Sequence, residues 1–521
     1  MIRLLFAFIA TTMFKTSLAG DLNVKDFGAS KDTFTLSTAA IQSAIDSSYS
    51  QGGGRVVFPA GDYKTGTIVL KDGVTLYLES GANIHASQNI DDYRAPLEYA
   101  FRPMLIYANG AKNIGIQGKG SINGHAKRVY EDLRKTDGFI ANITENARKA
   151  GVEMKMYYVV NPSMGLVSFV DCKDIKIEGV SFIESSVWTI HILKCERVSI
   201  DGVIITTSLE KGVNADGIDI NSTRDVNITN CQISTGDDAI VLKSWFQEFP
   251  CENVIVSNCT LESSSTALKI GTESHGDFRE IEFTNCVVKN SNRGLSIVVR
   301  DGATVERVKF SNIKVECTRR HFNWWGNADP IWIYLSKRYP NSRVGFIRDV
   351  RFENIVATGM GTSKIESTEG VRLENIQFIN VQLKMDPENY IDKRADDAFY
   401  AENVRNLLLE RFTVKWNDQE VEEGWRHAIR TSNIDGLVIR DFSGSQGLKD
   451  SKDAVILLHE TSNTVIENSW PTTEVGTMVR VSGSGSQKIF LNGIDPMDRS
   501  KEVLVIDKEV QDKSSILITD R

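Results

Sequence analysis

Three aspartates between residues 214 and 243 have a residue type and spacing suited to acid–base chemistry. Asp216 precedes the run Gly-Ile-Asp-Ile, and Asp237 and Asp238 precede Ala-Ile-Val-Leu. Such alternating runs are typical of half-buried strands, so we expect the acids at the beginnings of two strands. Clustered carboxylates raise the pKa of at least one member, which supplies a protonated acid beside an ionised base. Cleavage of a glycosidic bond requires such a pair.

A repeat along the chain predicts how these strands are arranged. A five-residue unit, apolar–x–apolar–x–(Asn/Gly/Asp), recurs, and from residue 175 to 308 its steps are 23, 28, 28, 27 and 27 residues. Short strands with a period in the twenties predict a solenoid of parallel β coils, because the fixed Leu-x-x-Leu-x-Leu frame of a leucine-rich repeat is absent. Gly, Asn and Asp tolerate the left-handed backbone of a sharp bend. The units begin at Ile114, Ile175, Val198, Val226, Val254, Ile281, Val308, Val350, Ile376 and Leu437.

The position after each bend predicts the role of the cysteines. Cys231, Cys259 and Cys286 alternate there with Ile and Val, which favours a stacked column in the core over metal ligands or obligatory disulfides. The chain has seven cysteines, so at least one is unpaired.

Other segments complete a predicted all-β, single-domain fold over residues 20–521. A helical pattern over residues 37–45, with Ser37 or Thr38 as N-cap and glycines at 52–54 after it, predicts a helix that caps one end of the solenoid. The period lengthens at residues 121–165, where the segment is charged and helix-like, and at residues 313–350. Insertions in a solenoid tend to gather on one face, so we expect both to form walls of a cleft.

A second recurring strand carries the acids. Its first positions are Trp188, Asp216, Asp238, Thr266 and Arg293, and its outward positions are His191, Asp219, Val241, Lys269 and Ser296. Equivalent positions of adjacent coils stack about 4.8 Å apart, so we predict that Asp216 and Asp238 are neighbours with Asp237 beside them. For Asp219 we expect a turn or a supporting role.

Further residues are candidates for binding substrate. The side chains that could contact a bound molecule near the predicted acids are His191, Lys269, Glu273, His275, Arg293, Arg300, Trp324 and Trp325. For His275, a loop histidine without a function is an equally good interpretation. For the two tryptophans, an equally good interpretation is that they anchor the loop by packing. A calcium site built from the acids lacks a loop of alternating Asp and Asn ligands, so we expect no metal and no cofactor.

Composition bounds the partners and the compartment. Of the 521 residues 41% are hydrophobic and 25% are charged, with a net charge of −8 and no basic patch that would suit a nucleic acid. Residues 1–19 combine an early positive charge, an apolar stretch and the ending Ser-Leu-Ala, which predicts a secretory signal peptide cut after Ala19. We therefore expect a secreted protein, periplasmic or extracellular, that is a monomer without stable membrane insertion.

With these motifs in place, the chain resembles the polygalacturonase-like glycoside hydrolases of family 28. The segment Asn214-Ala215-Asp216-Gly217 looks like that family's Asn-Thr-Asp-Gly motif, and Gly236-Asp237-Asp238 looks like its Gly-Asp-Asp motif. The resemblance implies a right-handed, pectin-lyase-like parallel β-helix. It also implies that Asp237 is the general acid, that Asp216 and Asp238 activate the attacking water, and that the configuration is inverted.

Two departures from the family pattern bear on the substrate. The family's Gly-His-Gly triplet corresponds here to Ser265-Thr266-Ala267, and its Arg-Ile-Lys triplet corresponds to Ser296-Ile297-Val298. Because the cationic side chains of both family triplets are absent, the chain lacks their charge-assisted hydrogen bonds to a galacturonate carboxylate. A sugar other than galacturonate at the central subsite is therefore attractive, as in rhamnogalacturonan-cleaving relatives.

Three functions remain open from the sequence. The first is an exo-acting or oligosaccharide-directed hydrolase of an acidic plant or algal polysaccharide, since insertions could close one end of a groove. The second is a polysaccharide lyase on the same solenoid, with Lys269 or Arg293 as base. The third is a non-catalytic carbohydrate-binding β-helix.

Overall fold

The computed structural model describes residues 20–94, 98–99, 102–132, 144–145, 147–151, 157–320, 326–368, 370–449 and 451–519. The predicted signal peptide and the predicted sugar-contacting residues Trp324 and Trp325 lie outside the described residues. No helix among the described residues is long and apolar enough to cross a membrane.

The described strands build a parallel β-helix, which confirms the predicted fold class. Forty strands belong to one coiled sheet. A typical coil runs from Lys173–Glu178 through Ser181–Ile183 to Ile190–Leu193, and the next strand, Glu196–Asp201, pairs in parallel with the first. We call the three ladders sheets A, B and C in that order.

The strands fall into these ladders as follows. Sheet A contains Leu22–Asn23, Gly54–Phe58, Val74–Leu78, Lys112–Gly118, Lys173–Glu178, Glu196–Asp201, Arg224–Thr229, Cys251–Ser257, Phe278–Thr284, Ser462–Glu467, Gln487–Asn492 and Ile516–Thr519. Sheet B contains Gly61–Thr65, Ala82–Ala86, Ser121–Asn123, Ser181–Ile183, Ile204–Thr206, Gln232–Thr235, Thr260–Ser263, Val287–Ser291, Ser443–Gly444 and Trp470–Pro471. Sheet C contains Ile68–Val69, Met104–Asn109, Gly165–Val170, Ile190–Leu193, Ile218–Asn221, Ile240–Ser244, Thr266–Ser274, Arg293–Val299, Asp329–Leu335, Ser363–Ser367, Ala454–His459, Val475–Ser482 and Ser500–Ile506. Five long strands continue from one ladder into the next: Thr304–Cys317, Phe346–Gly359, Leu373–Met385, Phe399–Trp416 and Ile429–Arg440.

The bends between sheets A and B have the predicted backbone. Asn230, Asn258, Asn285 and Asn312 have φ values of 57°, 56°, 53° and 56°, in the left-handed region that asparagine tolerates. Neighbouring amides also bond along the ladder, with Asn312 Nδ2 donating to Asn285 Oδ1 at 3.2 Å. The turn residues that define the repeat therefore stabilise the stack of coils as well as each bend.

The core repeats at the spacing of the coils. Phe283, Phe310, Phe352 and Phe378 stack with ring centroids 4.8 Å apart at each step, which is the distance between hydrogen-bonded strands. All seven cysteines are free and buried, so the predicted column of core thiols is confirmed.

The predicted capping helix is present and spans Thr38–Ser50, with Ser37 as N-cap. Ile41, Ala44 and Ile45 are fully buried against the first coils. The Gln42 amide donates to the carbonyl of Val69 at 3.0 Å and accepts from its N–H at 2.8 Å. The helix thus covers apolar residues and also satisfies backbone groups at the first strand of sheet C.

Four short 3-10 helices, a short helical segment and a hairpin complete the described structure. The 3-10 helices span Val24–Phe27, Ile90–Asp92, Ala126–Arg128 and Lys513–Ser515. In the first insertion, which was predicted to be helix-like, residues 144, 145 and 147–149 are helical, and its two ends pair as antiparallel strands, Tyr130–Asp132 and Tyr157–Val159. This hairpin packs on loops that lead into sheet C, since Tyr157 contacts Glu210 at 3.4 Å and Lys211 approaches the Tyr157 ring at 4.9 Å.

Candidate active site

The register of sheet C is the predicted one. His191 pairs with Asp219, Asp219 with Val241, Val241 with Lys269, and Lys269 with Ser296. Although these side chains point away from the core, all of them except Lys269 are at most 2% exposed. The outer face of sheet C is therefore the floor of a covered cleft and not a solvated surface.

The three aspartates converge at this floor. The N–H of Gly217, beside Asp216, donates to the carbonyl of Asp238 at 2.9 Å, so the two loops run side by side. One carboxylate oxygen from each of Asp216, Asp237 and Asp238 lies within 4.8 Å of the others. Their exposed fractions are only 2%, 8% and 2%.

A close approach of two loops allows this convergence. Gly236 packs so tightly that a Cβ there would lie 2.3 Å from the carbonyl oxygen of Ser208 and 2.5 Å from that of Gly212. Only glycine fits at this position without displacing backbone. The adjacent Asp237 is thereby held against the loop that carries Asp216.

Each aspartate has different partners. Asp237 accepts hydrogen bonds from the backbone N–H groups of Asp238 at 2.9 Å and Asn214 at 3.2 Å. Asp238 accepts from the Ser265 hydroxyl at 2.8 Å, and its other oxygen is 2.6 Å from the Lys269 ammonium. Among the described residues, Asp237 forms an ion pair with no lysine or arginine, so the three acids are electrostatically unequal.

A second lysine, Lys243, lies beneath the acids. Its ammonium group is 3.4 Å from Asp216, 3.3 Å from Asp219 and 3.4 Å from Glu273, and it lies 4.1 Å from the ring of Trp188. The side chain of Lys243 is only 6% exposed. A buried charge needs such compensation, so this ammonium group and the carboxylates require one another.

Sequence reasoning missed Lys243, although a signal existed. It lies two residues beyond Val241 on the same strand, so period-two alternation directs it to the cleft. Asp219, for which a turn or a supporting role was expected, is fully buried. No described residue donates a hydrogen bond to its carboxylate oxygens, and Lys243 alone neutralises it within 4 Å.

Burial and mutual repulsion control the protonation of the acids. Burial raises the pKa of Asp216 well above its usual range, and the charge of Asp219 adds to that effect. Burial also raises the pKa of Asp237 well above its usual range, assisted by Asp216 and Asp238. Burial raises the pKa of Asp219 to about 7 against the attraction of Lys243. The cluster therefore holds at least one proton near neutral pH.

The cations counteract this protonation. Burial by itself would lower the pKa of Lys243, but Glu273 and Asp216 outweigh it and raise that pKa well above its usual value. Burial would raise the pKa of Glu273, yet the ammonium groups of Lys243 and Lys269 lower it to about 2. Glu273, predicted to contact substrate, thus lies at the site as an ionised partner of Lys243.

Aromatic rings close one side of the cleft. His191 lies with its ring centroid 5.0 Å from Trp188 and 5.3 Å from Trp245, and the two tryptophans are 5.7 Å apart. Burial and the charge of Lys243 lower the pKa of His191 to about 3, so its ring is neutral. Together these residues offer flat apolar surface beside the acids, as sugar-binding clefts do.

The predicted cations beyond the acids have defined partners. Arg293 pairs with Asp329 at 3.2 Å and stacks on Trp332 at 3.7 Å. Trp332 was missed, but continuing the outward ladder one coil past Ser296 leads to it. Arg300 donates to the carbonyl of Lys337 at 3.4 Å, and its buried Nε has no described hydrogen-bond partner.

His275 is not among the acids. Its side chain is exposed and lines a surface pocket together with Trp245 and Arg343, on the side where the strands of sheet C end. The predicted tryptophans of the second insertion cannot be placed, because they lie outside the described residues. Arg319, which precedes them, is buried and pairs with Glu388 at 2.8 Å.

The three acids form a donor set that a metal ion could use. The three carboxylates are close enough to share one ion. However, the ammonium groups of Lys269 and Lys243 already lie against Asp238 and Asp216 at 2.6 and 3.4 Å. A cation between the acids would be repelled by both, so the residues present do not fit a resident metal.

Three buried carboxylates on neighbouring coils of a parallel β-helix are features of the β-helical glycoside hydrolases. The chain belongs to glycosyl hydrolases family 28, whose model matches residues 51–397.

Individual relatives agree with this assignment. The chain is 30% identical over 258 residues to an exo-poly-alpha-D-galacturonosidase of Dickeya chrysanthemi, and 26% identical over 278 residues to a probable polygalacturonase of Vitis vinifera. These alignments cover 43% and 50% of the chain, and 42% and 54% of the relatives. The fold is similar to that of a hyperthermoactive exopolygalacturonase from Thermotoga maritima, with a TM-score of 0.59, 23% identity, and coverage of 80% of this chain and 91% of that one.

Proposed function

We propose that the chain is a secreted, exo-acting glycoside hydrolase that cleaves O-glycosidic bonds in an acidic pectic polysaccharide or oligosaccharide of the galacturonan class. The observation that carries this proposal is the unequal pairing of three convergent carboxylates in a family 28 chain. Lysines lie against Asp216 and Asp238 but not against Asp237. The names of the relatives, among them an exo-poly-alpha-D-galacturonosidase, support the substrate class and the exo mode.

Asp237 is the proposed general acid. Burial and the neighbouring acids raise its pKa, and its hydrogen bonds come from backbone N–H groups and not from a cation. A carboxylic acid that stays protonated near neutral pH can give its proton to the leaving oxygen. In this step the bond between the anomeric carbon and the glycosidic oxygen breaks, and the oxygen takes the proton of Asp237.

Asp216 and Asp238 are the proposed base. The Lys243 ammonium opposes the rise in the pKa of Asp216 that burial causes, and the Lys269 ammonium forms an ion pair with Asp238. Together they accept one proton from a water molecule, whose oxygen bonds to the anomeric carbon on the opposite face of the sugar. One water is consumed, and proton exchange with solvent returns Asp237 and the base to their starting forms.

Inversion of configuration is part of the proposal and rests on the family resemblance. The nearest oxygens of the three acids lie within 4.8 Å of one another, closer than the separation of about 6.5–9.5 Å expected between the two carboxyl groups of inverting enzymes. Proton NMR of the first product decides the point, since inversion produces the opposite anomer before mutarotation. Formation of the original anomer would contradict the proposal.

The exo mode is proposed from the walls of the cleft. The hairpin of Tyr130–Asp132 and Tyr157–Val159 packs on loops leading into sheet C, and the rings of Trp188 and Trp245 stand beside the acids. Such walls would limit how far a chain extends past the acids in one direction. We expect mono- or disaccharide products from the start of the reaction, and long early fragments would contradict this mode.

Recognition of a uronate requires cations other than those of the family pattern. The outward positions Ser296 and Val298 carry no charge, but Arg300 lies two residues further along the same face of the chain. Its half-buried guanidinium forms no ion pair with a described acid, and we propose that it binds a substrate carboxylate. Lys269 and Arg293 are the proposed further sources of positive charge, nearer the acids.

The decisive experiment replaces Asp237 with asparagine. We expect Asp237→Asn to lower turnover of galacturonan oligosaccharides by at least about 10²-fold, because a general acid contributes about 10²–10⁴-fold. Binding measured by calorimetry should persist. Asp225→Asn on sheet A is the matched control and should retain full activity.

Other outcomes distinguish the remaining candidates. Wild-type turnover by Asp237→Asn would refute the assigned role. An unsaturated product that absorbs ultraviolet light would indicate a lyase, and binding without turnover by the wild type would indicate a carbohydrate-binding β-helix. Secretion is tested separately: the exported protein should begin at Gly20 by N-terminal sequencing.

A further inference from the structure

A pocket of about 360 Å³ opens beside the cleft, beyond the ends of the strands of sheet C. It is lined by residues 245–248 together with His275, Asp301, Ser342 and Arg343. This volume falls in the range of about 300–1,000 Å³ that is usual for small-molecule sites. The lining does not include Asp216, Asp237 or Asp238, so the pocket is separate from the acids.

The pocket shares a wall with the cleft. Trp245 lines it and also lies 5.7 Å from Trp188, whose ring is 4.1 Å from the Lys243 ammonium next to Asp216. A chain of short contacts therefore connects the acids to the pocket. If a sugar chain is positioned over the acids, a short branch that projects from it can reach the pocket.

The aromatic part of the pocket is rigidly supported. Phe246 meets the rings of Tyr99 and Phe249 edge-on at 5.5 and 6.1 Å, and the Lys194 ammonium lies 5.6 Å from the Phe246 ring. The backbone N–H of Trp245 donates to Asn221 Oδ1 at 3.1 Å. Two fixed aromatic side chains provide the flat apolar surface on which the C–H face of a sugar stacks.

The polar part of the pocket can bond to hydroxyl groups. The backbone of His275 is fixed by its N–H, which donates to the Ser244 carbonyl at 2.8 Å, and its exposed ring interacts electrostatically with Asp301. Arg343 donates to the carbonyl of Gly302 at 3.3 Å and is otherwise exposed. Asp301 is already neutralised by Arg338 at 2.7 Å. An imidazole and a guanidinium thus remain for a ligand.

We propose that this pocket is an accessory subsite that binds a sugar attached as a short branch to the main chain of the polysaccharide. The inference rests on the proposed function and specifies its substrate class further, as a branched acidic polysaccharide. The main chain lies along the cleft across successive coils, whereas the pocket lies to the side, past the strand ends. That direction suits a branch and not the next residue of the main chain.

The test compares linear galacturonan oligosaccharides with the same backbone carrying single neutral-sugar branches. Ser342→Trp fills the pocket, Arg343→Ala removes its exposed guanidinium, and Ser342→Ala is the control that leaves the pocket open. We expect the first two variants to lower kcat/KM for the branched substrate about tenfold, the effect of losing one good contact. Activity on the linear substrate should stay at the wild-type level.

Two results would overturn the proposal. Equal losses on both substrates would place the pocket in the main-chain path, and no loss on the branched substrate would show that the branch does not enter it. If the wild type cleaves neither substrate, the proposed function fails, and the pocket is then tested by calorimetry. Wild type should bind the branched oligosaccharide more tightly than the linear one, Ser342→Trp should lose that preference, and equal wild-type affinities would refute the subsite.

Discussion

Replacing Lys243 with methionine removes the buried ammonium group and keeps an unbranched side chain that is one atom shorter. The nitrogen lies 3.4 Å from Asp216 and 3.3 Å from Asp219. One pair of unit charges at that distance interacts by about 5 kcal/mol at an effective dielectric constant of about 20. This attraction opposes the rise in the pKa of Asp216 that burial causes.

Relaxation reduces the shift that would be observed. Water can enter the space left by the ammonium group and solvate the carboxylates, which offsets part of the lost attraction. We therefore expect the pKa of Asp216 to rise further in the variant, by less than the full attraction would produce. Because only the ionised base accepts a proton from water, the acid limb of the kcat/KM profile should move to higher pH by the same amount.

The measurement is kcat/KM against pH for wild type and Lys243→Met. At pH values below the acid limb of the wild type, kcat/KM of the variant should be about 10²-fold lower than that of the wild type. At pH values above the acid limb of the variant, most of that loss should disappear. Lys243→Arg should shift the limb less, since it keeps the charge. Lys364→Met is the matched control, because Lys364 occupies the same outward ladder of sheet C next to Trp332 and pairs with no acid in the described structure.

An acid limb that stays at the wild-type pH in a folded Lys243→Met protein would refute this reasoning. Circular dichroism establishes that the variant is folded, since a buried charge left unpaired can also destabilise the protein. A uniform loss of rate at every pH would show that Lys243 orients the acids without controlling their ionisation.

Three further predictions address the fold, the cleft and the substrate. Asn312→Ala should lower the free energy of unfolding by about 2 kcal/mol in urea titrations, since it places alanine at a φ of 56° and removes an amide from the ladder; Asn312→Gly should recover the backbone part, and an unchanged midpoint would contradict the role of the turn. The imidazole NMR signals of His191 should not titrate near pH 6.5, because burial and Lys243 hold its pKa at about 3; a midpoint near 6.5 would show an open cleft. Arg300→Gln should raise KM for galacturonate oligosaccharides about tenfold with little change in kcat, as expected when a uniform binding contact is lost, and an unchanged KM would exclude Arg300 from the substrate.

Much of the fold could be predicted because contacts in a solenoid follow from the repeat. Each residue lies beside the residue one coil away, so a step of 22 to 28 positions along the chain translates directly into a pair of neighbours. The alignment of Asp219 with Val241 and Lys269 was correct for this reason. The asparagine bends were predictable as well, since few residues adopt a positive φ without strain.

The surroundings of the acids were not predictable from the period. Glu273 and Asp219 meet at Lys243 because a long, flexible side chain turns back beneath the neighbouring coil, and a repeat does not specify rotamers. Arg293 and Asp329 are 36 residues apart across an insertion of irregular length. The antiparallel ends of the first insertion likewise depend on pairing between distant segments.

The sequence by itself determined the parallel β-helix, the register of sheet C and the convergence of Asp216, Asp237 and Asp238. Each of these follows from local periodicity and from backbone preferences at the bends. The tertiary structure alone decided which acid faces a lysine, how deeply the cleft is buried and where His275 lies. Those properties depend on the packing of loops of unequal length and on side chains that meet across coils, and a repeating pattern contains no information about either.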